Sequence, residues 1–341
     1  MPRCSRPRQL SVVVRLFEGQ ERNRALGIWS ALGGGGAAIG VLLGGLIAAG
    51  PGWQWVFFVN IPVGLVILVA LVLLLPAMPR ATQERARLDV LGAVLVTAAT
   101  ASLIYGLVRA GEPGGAGAAG GFVAGSVVLY LAFAVWQRTT SSPLMDLALI
   151  GRRSVAAGVF VILIGTALMV AVFFLGTFYF QGREGHGPLI TGLLFLPIAL
   201  TTMLGANLAG RLIATVGARR LGVAGLGVAA AGLLVPAVWS TTLATVLGVS
   251  VGALGIGAIF VVAAATALSQ VDPSEAGVAS GLLSTFHEFG ASIGVATVSS
   301  VAAASLAGTD ASGFQTAFLV AAVAALVGAV VAGVVIPRAR Q

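Results

Sequence analysis

Ten long apolar segments, separated by short charged or glycine-rich joints, constrain the fold of this 341-residue chain. Hydrophobic residues make up 58% of it and charged residues only 9%, whereas a soluble domain carries about 25% charged residues. A bilayer core of about 30 Å is crossed by about 20 apolar residues in a helix. The sequence therefore predicts an all-α, polytopic membrane protein and excludes soluble enzymes and nucleic-acid-binding modules. The predicted spans are residues 25–49, 55–75, 89–108, 119–137, 155–180, 189–213, 219–238, 241–268, 279–307 and 314–336.

The placement of arginine predicts how the chain is oriented. All 19 basic residues are arginine. If the N-terminus is inside the cell, 17 of them fall in cytoplasmic segments, and only Arg109 and Arg183 face outward. Positive residues are enriched on the cytoplasmic side of membrane proteins. We therefore expect a multi-pass protein of the plasma membrane with both termini in the cytoplasm.

The chain offers few residues for catalysis or metal binding. Its single cysteine, Cys4, cannot form an intramolecular disulfide, and two histidines are too few for a multi-histidine metal site. The glycine run at residues 33–36 lies inside an apolar span, where it does not form a dinucleotide-binding loop. We therefore expect no enzymatic activity, no cofactor, no bound metal and no nucleic-acid partner.

Part of the chain repeats at an offset of 254 residues. Residues 21–41 align with residues 275–295, and nine of the 21 pairs are identical. Duplicated halves are the architecture of many secondary transporters. The second copy lies at the start of the last two of six spans. We therefore expect the first copy to lie at the start of the last two helices of a first half. The predicted division is a cytoplasmic segment at 1–24, the end of a first half at 25–75, an inserted helix pair with linkers at 76–153, a six-helix second half at 154–337 and a cytoplasmic tail at 338–341.

The first span carries a spaced set of glycines, and an aromatic run follows it. The glycines are Gly27, Gly36, Gly40, Gly44 and Gly45, and the run is WQWVFFVNIPVG at residues 53–64. Both resemble the 14-helix drug:proton antiporter branch of the major facilitator superfamily, in which such glycines form the antiporter motif. A second stretch is similar to the cytoplasmic loop motif of that family, although Ala214 stands where the family has an aspartate. Its matching residues are Gly210, Leu212, Gly217, Arg219 and Arg220.

The resemblance implies a transporter that exports amphipathic small molecules in exchange for protons, by alternating access between two halves. The bilayer, protons and the substrate are then the expected partners, with no obligate protein partner. Because four helices precede the glycine motif in that family, the resemblance also implies that the first four helices are lacking here. Two alternatives stay open. The chain is an inactive N-terminally truncated fragment or mis-started reading frame of such a transporter, or it is a lipid or metabolite carrier of the same fold.

Polar residues within the apolar spans are the candidates for binding protons and substrate. Glu288 lies beside His287 and nine residues into its span, which is about 14 Å along a helix. A carboxylate at that depth can bind and release a proton, so Glu288 with His287 is the candidate proton site. An interfacial charge near the cytoplasm is the alternative. The candidate substrate path contains Tyr179, Gln181, Thr202 and Asn207.

Small and aromatic residues in the spans each have two interpretations. The antiporter glycines either only allow helices to approach closely or also face the other half and control which side of the site opens, and we favour the second. Two other glycine pairs, Gly290 with Gly294 and Gly248 with Gly252, are expected to be packing faces. The phenylalanines at 173, 174, 178 and 180 are expected to face lipid rather than to form a cage around substrate.

The orientation can be tested by labelling. In a Cys4→Ser background, single cysteines placed in the joints at 50–53 and 309–312 should react with a membrane-impermeant maleimide added to intact cells, because the 17-to-2 arginine split puts these joints outside. A reaction that occurs only after the membrane is broken would contradict the predicted orientation.

Overall fold

The computed structural model describes residues 39–74, 89–110, 114–140, 147–269, 271, 276–302, 305 and 312–337. Within these ranges the chain forms ten helices of 11 residues or more, here numbered α1 to α10, and no strand. The helices are α1 (Ile39–Ala49), α2 (Asn60–Leu74), α3 (Val90–Ala110), α4 (Ala116–Thr139), α5 (Arg153–Thr177), α6 (Pro188–Val216), α7 (Ala218–Val238), α8 (Thr242–Leu268), α9 (Ala276–Val301) and α10 (Ser312–Val335). Short helices at Trp55–Phe58 and Leu147–Gly151 precede α2 and α5, and a π-turn at Phe178–Arg183 extends α5.

Six of the described helices are long and apolar enough to cross a bilayer, namely α4 to α8 and α10. The apolar runs of α1, α2 and α3 are shorter, between 10 and 17 residues. Helix α9 has the length but is not among the six, and it carries His287, Glu288 and several Ser and Thr residues. The predicted all-α, polytopic membrane fold is confirmed for the described part of the chain.

Helices α5 to α10 pack into one bundle around a shared apolar core. Helix α8 contacts α5, α6 and α7, while α10 packs against α7 and α5, and α9 packs against α5. The largest fully buried side chains of the core come from five of these helices and the π-turn, and include Leu175, Phe180, Leu226, Ile259 and Phe318. This bundle supplies the scaffold on which the candidate site is built.

Glycines form the closest crossings within the bundle. A Cβ atom at Gly205 of α6 would overlap the Leu254 carbonyl of α8, and one at Gly257 of α8 would overlap the Thr202 carbonyl of α6. On the other side of α8, Gly248 and Gly252 lie against Gly232 of α7. Small residues permit such backbone approach between membrane helices. The predicted packing role of Gly248 and Gly252 is therefore confirmed.

The buried carboxylate of Asp89 links the two helices α3 and α4 at one end. This helix pair is called the inserted pair. Its Oδ1 accepts hydrogen bonds from the Gly92 backbone N–H and the Trp136 indole N–H, both at 2.8 Å. Its Oδ2 accepts from the Gln137 amide at 2.5 Å. Asp89 thus caps the start of α3 and joins it to the end of α4.

Local contacts fix both ends of α5. At its start, the Arg153 guanidinium donates to the Val334 and Val335 carbonyls at 2.6 and 3.1 Å, which satisfies the last turn of α10. At its end, the π-turn turns the Phe180 ring inward against Phe195, where Phe180 is only 1% exposed. The expectation that residue 180 faces lipid is therefore wrong, because Phe180 lies four residues after the buried Gly176 and packs beside it against Phe195.

The glycine crossings predict an asymmetric response to added methyl groups. Gly205→Ala should lower the stability of the protein by about 1–3 kcal/mol, because the new methyl meets backbone atoms that cannot rotate away. Gly210→Ala on the same helix meets no described atom within 4 Å, so it should leave stability unchanged or slightly raised. Midpoints of thermal unfolding in detergent compare the two variants, and equal midpoints would contradict the crossing.

Candidate transport site

Four consecutive residues of α9 face four different surroundings. His287 lies by Phe260 of α8, with ring centroids 6.0 Å apart. Glu288 is exposed, Phe289 meets Tyr130 of α4, and Gly290 lies against the Leu163 backbone of α5. Because successive residues of a helix point about 100° apart, these neighbours enclose α9 on three sides and leave the Glu288 side open.

Glu288 sits at the midpoint of α9, which has 26 residues. The helix begins at Ala276, so the carboxylate lies about 18 Å along it. The Glu288 side chain is 75% exposed and that of His287 is 44% exposed, and His287 Nδ1 lies 3.3 Å from Glu288 Oε1. The two side chains therefore bend toward each other despite their different directions from the helix.

The open side of α9 is polar in the first half of the helix. Besides Glu288, its exposed residues in the first half of the helix are Ser280, Gly281, Ser284 and Thr285. The Thr285 and Ser292 hydroxyls donate to the carbonyls of Gly281 and Glu288, each at 3.0 Å. The exposed side of α10 is instead apolar, as expected for contact with lipid, and includes Leu319, Val323, Leu326 and Val330. The polar side of α9 is suited to water or to another part of the protein.

Among the described antiporter glycines, Gly45 contacts another helix, whereas Gly40 and Gly44 do not. A Cβ at Gly45 would lie 2.9 Å from the Pro188 carbonyl and 3.3 Å from the Gly192 Cα of α6, so the backbones of α1 and α6 touch here. Among the described residues, no atom lies within 4 Å of a Cβ built at Gly40 or Gly44. Gly27 and Gly36 lie outside the described residues. Gly290 and Gly294 pack against the Leu163 and Ala167 carbonyls of α5, which confirms their packing role.

The four candidate path residues occupy different environments. Gln181 and Asn207 are exposed on the π-turn and on α6. Thr202 is partly buried at the α6–α8 crossing, and its hydroxyl donates to the Ile198 carbonyl at 2.8 Å. Tyr179 is only 2% exposed, and its hydroxyl donates to the Ser240 carbonyl at 2.8 Å. Tyr179 therefore packs inside the bundle, and the path assignment of all four residues stays a prediction.

Most of this sequence matches a known protein family. The sequence matches the profile of the Major Facilitator Superfamily over residues 7–295. The chain belongs to this superfamily. The resemblance carried by the glycine motif is thereby confirmed at the level of the family, and the helical membrane fold agrees with it.

Several curated members of the superfamily are similar to this chain. The puromycin resistance protein pur8 of Streptomyces alboniger is 32% identical over 305 residues, covering 86% of this chain and 60% of that protein. The multidrug resistance protein Stp of Mycobacterium tuberculosis is also 32% identical, covering 88% of this chain and 56% of Stp. The tetracenomycin C resistance and export protein of Streptomyces glaucescens is 33% identical, covering 86% and 55%. The chain thus spans little more than half the length of these relatives.

The region similar to the superfamily's cytoplasmic loop motif forms the turn between α6 and α7. Gly217 adopts φ +86°, a conformation that favours glycine, and its N–H donates to the Ile213 carbonyl at 3.1 Å. Arg219 and Arg220 lie in the first turn of α7, and Leu212 is exposed near the end of α6. The tight turn is present, and the latch function of the motif stays a prediction.

A polar cluster at the opposite end of the bundle was not predicted. The Thr242 hydroxyl donates to Glu184 Oε2, and His186 Nε2 lies 3.2 Å from the same oxygen. These contacts join the turn after α5 to the start of α8. Glu184 and His186 are two residues apart, a common spacing in turns, so the sequence alone gives no sign that Thr242 completes the cluster.

Proposed function

We propose that this chain forms part of a drug exporter that exchanges protons for amphipathic small molecules. Membership of the superfamily supports a transporter, and the names of the similar proteins, which describe drug resistance and export, support the substrate class. The observation that carries the proton step is the carboxylate of Glu288, at the midpoint of α9 on its polar, open side. That position supports an aqueous path bordered by α9.

Glu288 would bind the proton that drives export. An ionised carboxylate at membrane depth costs several kcal/mol unless it is paired or faces water, so its charge state depends on which side of the membrane the path is open to. Protonation from the outside neutralises the carboxylate, and release to the cytoplasm restores the charge. The imidazole of His287, 3.3 Å from Oε1, can stabilise the charged form when it is itself protonated.

The crossing of α1 and α6 would act as the gate between the two halves. The repeat register assigns α1 to the first half and α6 to the second. Their backbones touch at Gly45 and Gly192 with no side chain between them. Such a contact can close tightly and can also separate without breaking interlocked side chains. Gln181, Thr202 and Asn207 are the residues we assign to the substrate path on the second half.

Removing the charge of Glu288 tests the proton step. Introduced into a version of the protein that is as long as the relatives and exports substrate, Glu288→Gln keeps the size of the side chain but cannot release a proton, so proton-coupled exchange should be lost while protein level and substrate binding persist. Glu112→Gln, which changes a carboxylate in the joint Glu112-Pro113-Gly114, is the matched control and should keep exchange. Substrate-driven proton movement is measured in everted vesicles with a pH-sensitive dye. Unchanged exchange in Glu288→Gln would refute the assignment.

Chain length gives a second test of the proposal. The relatives are longer, since the chain covers only 60% of pur8 and 55% of the tetracenomycin C exporter. We expect a version of the length of the relatives to export substrate, and residues 1–341 alone to show no gradient-dependent export. Export by residues 1–341 alone in vesicles would contradict this expectation.

A further inference from the structure

We propose that Tyr130 of the inserted pair is a positioning residue that sets the rotation of α9 about its axis and thereby the direction of Glu288. The significance of that direction for transport rests on the proposed function. The contact itself, and the test below, do not depend on it.

The inserted pair has the internal contacts of a rigid unit. The Asp89 carboxylate joins its two helices at one end. Toward the other end, the rings of Tyr105 and Phe122 pack edge to face at 4.6 Å. A Cβ at Gly106 would lie 3.0 to 3.2 Å from atoms of α4, so the two helices are in close contact there. These contacts join α3 and α4 near both ends, and Tyr130 has its own link to α3 between them.

Tyr130 is anchored within the inserted pair and reaches out of it. Its hydroxyl lies 2.9 Å from the Thr100 Oγ1 of α3, so the ring is tied to both helices. The ring meets Phe289 edge-on, with centroids 6.3 Å apart and planes at 77°. Phe289 in turn packs edge-on against Phe286 at 5.6 Å, and Phe286 touches the core of the bundle. The aromatic side chains thus connect the inserted pair to the core through α9.

On the opposite side of the turn that carries Glu288, α9 contacts α5 through glycines, and its large core side chains Leu282 and Phe286 lie earlier in the helix. Gly290 and Gly294 rest on the Leu163 and Ala167 backbone of α5, and neither glycine has a side chain that could lock into a groove. The remaining neighbour of this turn is Phe260, whose ring lies 6.0 Å from the partly exposed His287. Phe289 is 8% exposed and is the large side chain that holds this turn of α9 on the side of the inserted pair.

The inserted pair lies at the edge of the bundle, where it can support α9 from outside. Its contacts with the bundle run through α9 and the short helix Leu147–Gly151. The exposed side of α4 is apolar, as in a helix that faces lipid, and consists of Val127, Val128, Leu131 and Val135. Loss of the Tyr130 ring should therefore act on α9 and leave the packing of α5 to α8 in place.

The accessibility of position 288 measures the rotation directly. In a Cys4→Ser background, Glu288→Cys provides a single thiol whose rate of reaction with a charged methanethiosulfonate reagent is followed in membrane vesicles. Adding Tyr130→Ala should change this rate by about two- to tenfold, the range expected for loss of one aromatic pair. Tyr105→Ala removes the same ring from the other end of the inserted pair, where it touches Phe122 rather than α9, and should leave the rate unchanged.

Two further measurements test the contact between Tyr130 and Phe289. If Tyr130→Ala gives no folded protein, Tyr130→Leu keeps an apolar side chain, smaller than tyrosine and without the edge-on ring, and should change the rate in the same direction. In the same Cys4→Ser background, the pair Tyr130→Cys and Phe289→Cys should be joined by a short bismaleimide, because this reagent fills the space left by the two rings. Equal rates in the Tyr130 and Tyr105 variants, or no cross-link, would overturn the proposal. Because no step requires transport, a failed Glu288→Gln test would refute the proton site and leave this result standing.

Discussion

The structure depends on close contact between helix backbones. In a bilayer, an apolar side chain gains little by leaving lipid for protein, so association of helices must come from close packing and polar contacts. Helix α8 shows how this is achieved, because Gly257 meets α6 on one side and Gly248, Gly252 and Gly255 meet α7 on the other. The central helix is thus held by neighbours that approach without intervening side chains, and the outer helices build on it.

Close packing of α8 and α5 leaves α9 in a different situation. Its glycines give it a smooth contact with α5, its aromatic residue faces the inserted pair, and its polar side is left open. The Glu288 carboxylate thus lies on the side of α9 that needs no apolar neighbour, while Leu282, Phe289 and Val298 keep the helix packed on its other sides. Helix α9 therefore combines a packed apolar side with a polar side that is suitable for carrying a titratable group.

Sequence patterns predicted the helices well and the surroundings of individual side chains poorly. Long apolar runs fix where helices lie, because the bilayer imposes their length, and the span predicted at 189–213 corresponds to α6 at Pro188–Val216. Phe180 packs inward against Phe195, although an aromatic residue near the end of a span was expected to face lipid. The Tyr179 hydroxyl donates to the carbonyl of Ser240, which is distant in sequence, so its partner could not be predicted either. The Asp89 cluster likewise joins residues 47 and 48 positions apart, which only the fold brings together.

The internal repeat places two related helices in different surroundings. In the second copy, Gly290 and Gly294 pack on α5. Gly40 is the counterpart of Gly294 at the 254-residue offset, and its side of α1 is open in the described structure. Gly45, which touches α6, corresponds to Ser299, whose hydroxyl donates to the Ala296 carbonyl of its own helix. The glycine that brings α1 onto α6 is therefore one that the second copy lacks. In the proposed mechanism, this difference would let the two halves separate at α1 while α9 stays in its bundle.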